Sequence, residues 1–588
     1  MRLKQPRIPQ MIAQMTAPII AQMILKTIAI ALAMVAIQSC AVVSKTIASG
    51  GEVRLQSVPP PKLPGKHVII FALDGTSRDQ FMALIRSGKA PNIAGLLGKE
   101  HAGGVFDHGY AAPDAVSMLP SSTVADWSAI FTGAPPAFNG VTGDEWFERE
   151  HMRFFAPVPI SIDDTADLQK AIANGMVGDA LEVPTLYQLL GIDSNVSLMW
   201  IYRGATLYTI VGPSTYTGLI GTLIAGKLNG ESAEKSLSGA LDLDSVKTLV
   251  AAIDQHGVPN LQTIYFPGID AFTHQAPNPL PSQIGYLSSV TDKAVGEVLD
   301  EYRKKNALDD TYVLFIADHG QTPTLDDDTH ALGADGDNTP FGLVRDAGFR
   351  VRKAKLTLAD NEQDYQAVLA YQGFMAYVYL ADRSTCRAAG ARCDWNKPPR
   401  FTRDVMPVVR AFDKVNRTGR PISRLKGTID LIFARKPAAS ATPAGRFEIF
   451  DGRRLVAIHD YLKAHPRPDL VDLEQRMDWL SNGPYGNRAG DIVLLSKSGA
   501  SPIEGRYYFA AEPHYTWHGS ADESDSYVPM VLIQVGGSGD SMRKVIQAQV
   551  GQQPYEKDLT PIVRALFGTK PMTPPSGLAA SGATGSAK

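Results

Sequence analysis

The sequence has few cysteines and no large excess of charge of either sign. Only three of its 588 residues are cysteine, and 57 Lys and Arg against 60 Asp and Glu give a formal net charge of -3. This balance offers no electrostatic basis for binding a nucleic acid polymer. No internal repeat of solenoid or propeller length is visible. The length is sufficient for a large buried core and more than one domain.

Several catalytic motifs are also missing. No Gly-x-Ser-x-Gly occurs, so the nucleophile elbow of serine hydrolases has no support. Neither Cys386 nor Cys393 lies in the Cys-x-Pro-x-Arg pattern of sulfatases. Residues 221–228 nearly match a P-loop, but Leu228 stands where a hydroxyl must bind Mg²⁺. We interpret that match as a coincidence on a helix.

The N-terminus has the pattern of an export signal. Four basic residues precede an apolar stretch at 27–37 that is too short to span a bilayer. The following Ile37-Gln38-Ser39-Cys40 resembles the bacterial lipoprotein box, in which the cysteine is lipidated. We therefore expect export to the periplasm or the cell surface, with anchoring to the outer membrane through Cys40. A plain signal peptide, or a membrane anchor with a chance cysteine, is the alternative.

The other two cysteines, Cys386 and Cys393, lie seven positions apart in a polar stretch that contains glycine. In an exported protein this spacing favours a local disulfide that closes a small loop. Two free thiols are the alternative.

Three apolar runs each lead to an aspartate, and two of the aspartates come with a histidine. Short runs of β-branched and aromatic residues, bounded by Gly or Pro, are typical of buried parallel strands. In an open α/β sheet, ligands bind beyond the carboxyl ends of the strands. The acidic and imidazole groups are therefore expected at one edge of one sheet, where they suit zinc or a similar divalent ion. These residues are Asp74, Asp270 with His274, and Asp318 with His319.

A hydroxyl and a further histidine complete the candidate site. Apolar positions after Thr123 predict a helix that ends at Gly133, which puts Thr123 at a helix N-terminus that favours an anion. A neighbouring metal would make this hydroxyl a nucleophile, whereas a simple helix cap is the alternative. His518 lies in a loop before a late strand and can supply another ligand, in competition with His514.

Taken together, these motifs resemble the alkaline phosphatase superfamily, specifically its type I phosphodiesterase/nucleotide pyrophosphatase branch with a threonine nucleophile. The resemblance rests on five fragments in family order: Asp74-Gly75, Thr123 with Thr132-Gly133, Asp270 with His274, Asp318-His319-Gly320, and His518-Gly519. It implies a three-layer α/β sandwich with a mostly parallel central sheet and an inserted cap domain.

The resemblance also implies residue roles. Two zinc ions are expected, although other divalent ions are possible. One would bind Asp270, His274 and His518. The other would bind Asp74, Asp318, His319 and the oxygen of Thr123, which would form a covalent phosphothreonine with the substrate.

Two positions depart from the family pattern. Asp144 stands where the family has an asparagine that hydrogen-bonds a phosphoryl oxygen, and a carboxylate there repels phosphate unless it is protonated or paired. Either Asp144 turns away, or a cation bridges it, or the substrate carries less charge. Arg203 keeps only the arginine of a Lys-x-Arg motif of the threonine-type monoesterases, and it binds either a phosphate oxygen or an unrelated acidic group. The loss of the lysine favours a diester over a dianionic monoester, whereas Asp144 leaves the substrate class open.

We predict six regions along the chain. They are a lipoprotein-type signal peptide at 1–40, a linker at 41–65, the first part of the catalytic core at 66–344, an inserted cap at 345–480, the second part of the core at 481–570 and a disordered tail at 571–588.

The predicted function is metal-dependent hydrolysis of a small-molecule phosphoric ester, of the phosphodiesterase or nucleotide pyrophosphatase type. A phosphomonoesterase is the alternative within enzymes, and a non-catalytic binding lipoprotein on the same fold is the alternative outside them. A phosphoryl- or phosphoethanolamine-transferase is disfavoured because the sequence lacks the transmembrane helices typical of those enzymes. The oligomeric state is left open.

Overall fold

The computed structural model describes residues 49–157, 176–215, 238–353, 364–388, 390–436, 445–551 and 553–569. The predicted signal peptide with Cys40, the tail at 571–588 and the P-loop-like segment at 221–228 lie outside the described residues. Across the described residues, no helix is both long enough and apolar enough to cross a lipid bilayer.

A mostly parallel sheet of eight strands forms the centre of the fold, as predicted for an α/β protein. Its strands are, in spatial order, Glu52–Arg54, Leu207–Thr209, Ser194–Ser197, Leu261–Phe266, His67–Leu73, Thr311–Ile316, Met530–Gln534 and Gly109–Ala111. The five strands from Leu207–Thr209 to Thr311–Ile316 run parallel. The central ones are buried on both faces because helices cover them, which explains their continuous apolar sequences.

Helices alternate with these strands along the chain. Their apolar sides pack into one continuous core with the sheet. The α-helices of the described residues are Arg78–Arg86, Pro91–Leu97, Thr123–Thr132, Pro136–Asn139, Met176–Ala180, Leu186–Leu190, Ser238–His256, Gly268–His274, Pro279–Tyr286, Asp292–Lys304, Pro340–Asp346, Met406–Thr418, Ile458–Ala464, Leu473–Ser481, Glu523–Ser526, Gly539–Gln547 and Leu559–Leu566.

A second sheet of six antiparallel strands, here called the cap sheet, is formed mainly by the predicted cap region. Its strands are, in spatial order, Ala367–Gln372, Met375–Leu380, Ile492–Ser496, Ile429–Arg435, Phe447–Phe450 and Leu455–Ala457. Short two-strand ribbons join Thr322–Pro323 to Thr516–Trp517, Tyr527–Val528 to Ala115–Val116, and Trp146–Glu148 to Arg153–Phe155.

Two details of the predicted regions differ from the structure. Part of the predicted linker is structured, because Glu52–Arg54 pairs with Leu207–Thr209 as an edge strand of the core sheet. The strand Ile492–Ser496 lies in the predicted second part of the core, but it pairs with Met375–Leu380 and Ile429–Arg435 of the cap sheet. The division of the chain into domains otherwise stays a prediction. The expected local disulfide joins Cys386 to Cys393.

One buried carboxyl group makes the stability of the folded state depend on pH. Asp242 is fully buried, accepts hydrogen bonds from the Gly268 N–H at 3.1 Å and the Tyr286 hydroxyl at 2.8 Å, and has its pKa raised by burial to about 7. Since this pKa lies above that of the unfolded chain, the folded state loses stability as pH rises towards and through 7.

We expect Asp242→Asn to remove this pH dependence, because an amide can keep both hydrogen bonds without a charge. Between pH 5 and pH 8 the wild-type free energy of unfolding should fall by on the order of 2 kcal/mol more than that of the variant. Denaturant unfolding at several pH values measures this difference. The exposed control Asp300→Asn should follow the wild type. Parallel pH profiles for wild type and Asp242→Asn would show that Asp242 is not the titrating group.

Candidate metal centre

Three neighbouring parallel strands bring the predicted ligands to one edge of the core sheet. Asp74 directly follows the strand His67–Leu73, and Asp318 with His319 follows the strand Thr311–Ile316. The strand Leu261–Phe266 leads into the helix Gly268–His274, which carries the other pair. Asp270 and His274 are four residues apart and share a helix face, with Asp270 Oδ2 at 3.2 Å from His274 Nε2.

A short ribbon adds His518 from far along the sequence. Thr516–Trp517 pairs with Thr322–Pro323, just after His319, so His518 reaches the same place. The rings of His319 and His518 stack with centroids 3.6 Å apart. Gly519 is required here because a Cβ at that position would lie 1.9 Å from the backbone oxygen of Gln372.

Thr123 is the first residue of the helix Thr123–Thr132, which ends at Gly133 in the left-handed conformation, as predicted. Its side chain is buried at the helix N-terminus, and Thr123 Oγ1 lies 3.0 Å from His319 Nε2. The hydroxyl therefore contacts the ligand set directly and does more than begin a helix.

Two groups of side chains could each hold a metal ion. In each group, one ligand atom per residue lies within 4.8 Å of the others. The groups are Asp270 with His319 and His518, and Asp74 with Asp318 and His319. His274 belongs to neither of these groups, although its Nε2 lies beside Asp270. The division of ligands between two ions stays a prediction.

The three imidazoles are oriented in the same way. His274 Nδ1 donates to the Thr516 carbonyl at 2.7 Å, His319 Nδ1 to the Gly320 carbonyl at 2.9 Å, and His518 Nδ1 to the Ser121 carbonyl at 3.1 Å. These contacts put the proton on Nδ1 and leave the lone pair of Nε2 for a metal, an arrangement common among metal-binding histidines. Burial also lowers the pKa of His319 to about 3, so the ring is neutral, as ligation requires.

The carboxyl groups of Asp74 and Asp318 are suited to binding a cation. Asp74 Oδ1 and Asp318 Oδ2 are buried and have no hydrogen-bond partner among the described residues. Burial, with the charges of Asp318 and Asp270, raises the pKa of Asp74 well above its usual range. Burial likewise raises the pKa of Asp318 to about 8. Such groups fit divalent metal ions, and carboxylate oxygen with imidazole nitrogen is a zinc-type donor set.

Two further residues orient the ligands and were not predicted from the sequence. The Tyr265 hydroxyl donates to Asp74 Oδ2, and the Gln321 amide donates to Asp270 Oδ1. Burial alone would raise the pKa of Asp270, but His274, His518 and this amide outweigh it and lower the pKa. The position of Gln321, two residues after His319, is the only sequence signal that could have drawn attention to it.

Asp144 lies at the site. Its Oδ1 accepts the Val124 N–H at 2.8 Å, next to Thr123 at the helix N-terminus. Burial raises the pKa of Asp144 to about 6, although the Val124 N–H limits the rise. The Asp144 carboxylate thus points to the N-terminus of the helix that begins at Thr123, and which of the three possibilities applies to a bound phosphate stays a prediction.

Arg203 has a different position. Its guanidinium donates to the carbonyls of Gly178, Leu181 and Val183 and to the side chain of Gln188. These bonds occupy its donors with the helix Met176–Ala180, the loop that follows it and the helix Leu186–Leu190. None of these hydrogen bonds joins Arg203 to the described side chains around Thr123, and its role in phosphate binding stays a prediction.

A comparison with protein families matches the description "Type I phosphodiesterase / nucleotide pyrophosphatase" over residues 68–385, more than half of the 588 residues. The chain belongs to the type I phosphodiesterase/nucleotide pyrophosphatase family. It is thus an enzyme of the alkaline phosphatase superfamily, a phosphoric ester hydrolase. No curated protein matches the chain in a sequence comparison. The family match ends at residue 385, before His518. In the fold, His518 nevertheless lies next to His319 and the other candidate ligands.

In this member of the phosphodiesterase family, a buried arginine from the helix Leu473–Ser481 supports the site. Arg476 donates to the Ser121 hydroxyl at 2.7 Å, the Met118 carbonyl at 2.7 Å and the Ser117 hydroxyl at 3.1 Å. The backbone carbonyl of Ser121 accepts a hydrogen bond from His518 Nδ1, and Ser121 lies two residues before Thr123. Arg476 therefore fixes the segment that positions both the hydroxyl and a candidate ligand.

We expect Arg476→Gln to lower kcat for a phosphodiester by on the order of 10- to 100-fold, because a small displacement of reacting groups is costly. Steady-state kinetics together with thermal melting measures this effect. The matched control is Arg435→Gln, which removes an equally buried arginine that donates to the Gly486 carbonyl. The control should lose stability but keep kcat. Equal losses of kcat in both variants would reduce the role of Arg476 to general stability.

Proposed function

We propose that this hydrolase cleaves phosphodiesters at a two-zinc centre, with Thr123 as the nucleophile. The observation that carries the proposal is the Thr123 hydroxyl, buried at a helix N-terminus and 3.0 Å from His319 Nε2 within the Asp/His cluster. A hydroxyl that only capped the helix would not need six acidic and imidazole groups around it. A binding protein without catalysis would have no reason to keep this arrangement.

Each ion would be held by the ligands that the family resemblance implies. Asp270, His274 and His518 would hold one, and Asp74, Asp318, His319 and Thr123 the other. The unpartnered oxygens of Asp74 and Asp318 support the second set. Bound zinc would supply positive charge that lowers the pKa of the Thr123 hydroxyl and offsets the charge of the phosphate.

Hydrolysis would take two steps at phosphorus. Thr123 Oγ1 loses its proton to solvent and attacks in line, so a bond from Oγ1 to phosphorus forms. The bond from phosphorus to the ester oxygen breaks, and that oxygen takes a proton from solvent and departs as the alcohol. Water then attacks phosphorus and gives up a proton, the bond from Oγ1 to phosphorus breaks, and Thr123 Oγ1 takes up a proton, which restores the hydroxyl. Backbone N–H groups and the dipole of the helix Thr123–Thr132 favour the phosphate charge throughout.

Asp144 favours a diester over a monoester. With a pKa of about 6, it is ionised at neutral pH and lies beside the nucleophile. A monoester approaches with up to two negative charges and a diester with one, so the monoester meets the greater repulsion.

This preference is directly testable. Purified enzyme should cleave an aryl phosphodiester with a higher kcat/KM than the corresponding aryl monoester. Asp144→Asn should raise kcat/KM for the monoester by about tenfold and change the diester value less, since the amide removes one like charge. Steady-state kinetics with both substrates measures the ratio. A monoester preference in the wild type, unchanged by Asp144→Asn, would contradict the diester assignment.

We also propose that the enzyme is exported and anchored by a lipid on Cys40. The Cys386–Cys393 disulfide supports an oxidising compartment such as the periplasm or the cell surface.

A further inference from the structure

Two carboxyl groups that belong to neither candidate ligand group lie buried beside the segment that leads to Thr123. Asp126 is in the first turn of the helix Thr123–Thr132, and Glu556 begins the short helical turn Glu556–Asp558 near the C-terminus. Both side chains are fully buried. The nucleophile helix and a distant part of the chain therefore each contribute one acidic group to the same place.

One backbone N–H holds the two carboxyl groups together. The Met118 N–H donates to Asp126 Oδ1 at 3.0 Å and to Glu556 Oε1 at 3.1 Å. The remaining oxygens, Asp126 Oδ2 and Glu556 Oε2, are buried and accept no hydrogen bond from an N–H or hydroxyl group of the described residues. Two ionised carboxylates in such a place repel each other strongly. A single proton between the two groups removes this repulsion and gives the remaining oxygens a partner.

The surroundings favour the protonated form. Burial, and after it the charge of Glu556, raises the pKa of Asp126 well above its usual range. Burial also raises the pKa of Glu556, although its hydrogen bond with Asp126 limits the rise. The other charged groups that act on the pair are Asp318, which raises both pKa values, and Arg476, which lowers both.

Arg476 holds the other side of the same peptide segment. Its guanidinium donates to the Met118 carbonyl at 2.7 Å, whereas the carboxyl groups accept the Met118 N–H. Its Nε is buried and has no hydrogen-bond partner among the described residues. A carboxyl pair with one proton carries one negative charge, which balances the positive charge of Arg476. A pair without a proton would carry two.

The segment that carries Glu556 is fixed independently of Asp126. The Thr560 hydroxyl donates to the Ile130 carbonyl of the nucleophile helix at 2.7 Å. The Val116 N–H donates to the Pro554 carbonyl at 3.0 Å. The C-terminal segment is thus attached both to the helix that follows Thr123 and to the chain that precedes it.

We propose that Asp126 and Glu556 share one proton and act as a positioning pair, which holds the segment Met118–Thr123 so that Thr123 Oγ1 faces the phosphorus. The inference rests on the proposed function, because it takes Thr123 as the nucleophile. The shared proton stays on the pair during the reaction. The role of the pair is to fix the backbone from which the nucleophile projects.

Isosteric amides test this charge balance. In Asp126→Asn or Glu556→Gln, the amide donates to the remaining carboxylate, so the hydrogen bond and the single negative charge both persist. We expect each single variant to lower kcat for an aryl phosphodiester by less than about fivefold. The double variant has no negative charge opposite Arg476, and its kcat should fall at least about 100-fold, with KM within about threefold of the wild type.

Steady-state kinetics of the zinc-loaded enzymes measures these values. A loss in the double variant that is no larger than the product of the two single losses would overturn the proposal, because independent groups contribute independently.

A buried carboxyl group elsewhere provides the structural control. Asp404 is also fully buried and accepts hydrogen bonds from the side chains of Arg400 and Arg383, at 2.8 Å and 3.0 Å. Asp404→Ala should lower the Tm but keep kcat. Asp126→Ala should lower kcat roughly 100-fold, and Asp126→Asn should recover most of that loss. Losses of kcat that follow the Tm in all these variants, Asp404→Ala included, would reduce the pair to a structural role.

An infrared measurement keeps the proposal testable if the double variant does not fold. The difference spectrum between wild type and Glu556→Gln at neutral pH should contain the C=O band of a protonated carboxyl group, shifted when the proteins are prepared in D₂O. Absence of this band would overturn the shared proton. Full turnover by Thr123→Ala would instead overturn the proposed function, and it would leave the infrared band unaffected.

Discussion

Thr123→Ala is expected to lower kcat for a phosphodiester by at least about 10⁴-fold, because the variant has no oxygen that can bond to phosphorus. The Thr123 side chain is buried at its helix N-terminus, and removing a hydroxyl and a methyl group should leave the backbone unchanged. Metal content should remain near that of the wild type, because the Asp and His ligands persist. Steady-state kinetics and elemental analysis of the same preparations measure both quantities.

The matched control is Thr123→Ser, which keeps the hydroxyl. It should retain turnover within about 100-fold of the wild type, and acid quenching during turnover should trap a phosphorylated residue at position 123 in both active proteins. Undiminished turnover in Thr123→Ala would eliminate Thr123 as the nucleophile.

Removal of metal is expected to have an equally large effect. A strong chelator should abolish hydrolysis, and about two zinc ions per chain should restore it. The Tm should fall on chelation, roughly by 5–10 °C, because a metal ion that binds only the folded state stabilises that state by several kcal/mol. Without cations, Asp74 and Asp318 lie close together as buried carboxyl groups, and Asp74 Oδ1 and Asp318 Oδ2 have no hydrogen-bond partner among the described residues. Calorimetric melting with and without chelator measures this shift.

His319→Ala gives a residue-specific version of this test, since His319 belongs to both candidate groups and contacts Thr123. We expect the variant to lose at least one zinc ion and nearly all turnover. His330→Ala is the control, because His330 is also buried but contacts Asp327 outside both groups. Full zinc content and turnover in His319→Ala would show that the cluster is not the metal site.

Much of the site could be predicted because its residues follow strands that can be recognised locally. Continuous apolar runs identify parallel strands, and the rule that their carboxyl ends share one edge brings Asp74, Asp270 and Asp318 together. The helix that begins at Thr123 is equally recognisable, because its apolar residues recur at helical spacing and Gly133 ends it. These features can be read from neighbouring residues, without knowledge of contacts between distant parts of the sequence.

Other features depend on contacts that local patterns do not reveal. An apolar run such as Ile492–Ser496 suits a core strand and a cap strand equally, and only its pairing partners decide between them. Arg476 looks like a surface helix residue in the sequence, yet it is fully buried against the segment before Thr123. Arg203 has the right chemistry for phosphate, but backbone carbonyls nearby in the chain bind it.

Anomalous diffraction at the zinc edge, from crystals of the zinc-loaded protein, tests the central claim most directly. A two-metal centre predicts two zinc peaks, one beside Asp74, Asp318, His319 and Thr123 Oγ1, and the other beside Asp270, His274 and His518. A single peak elsewhere in the protein, or no peak within bonding distance of these side chains, would contradict it.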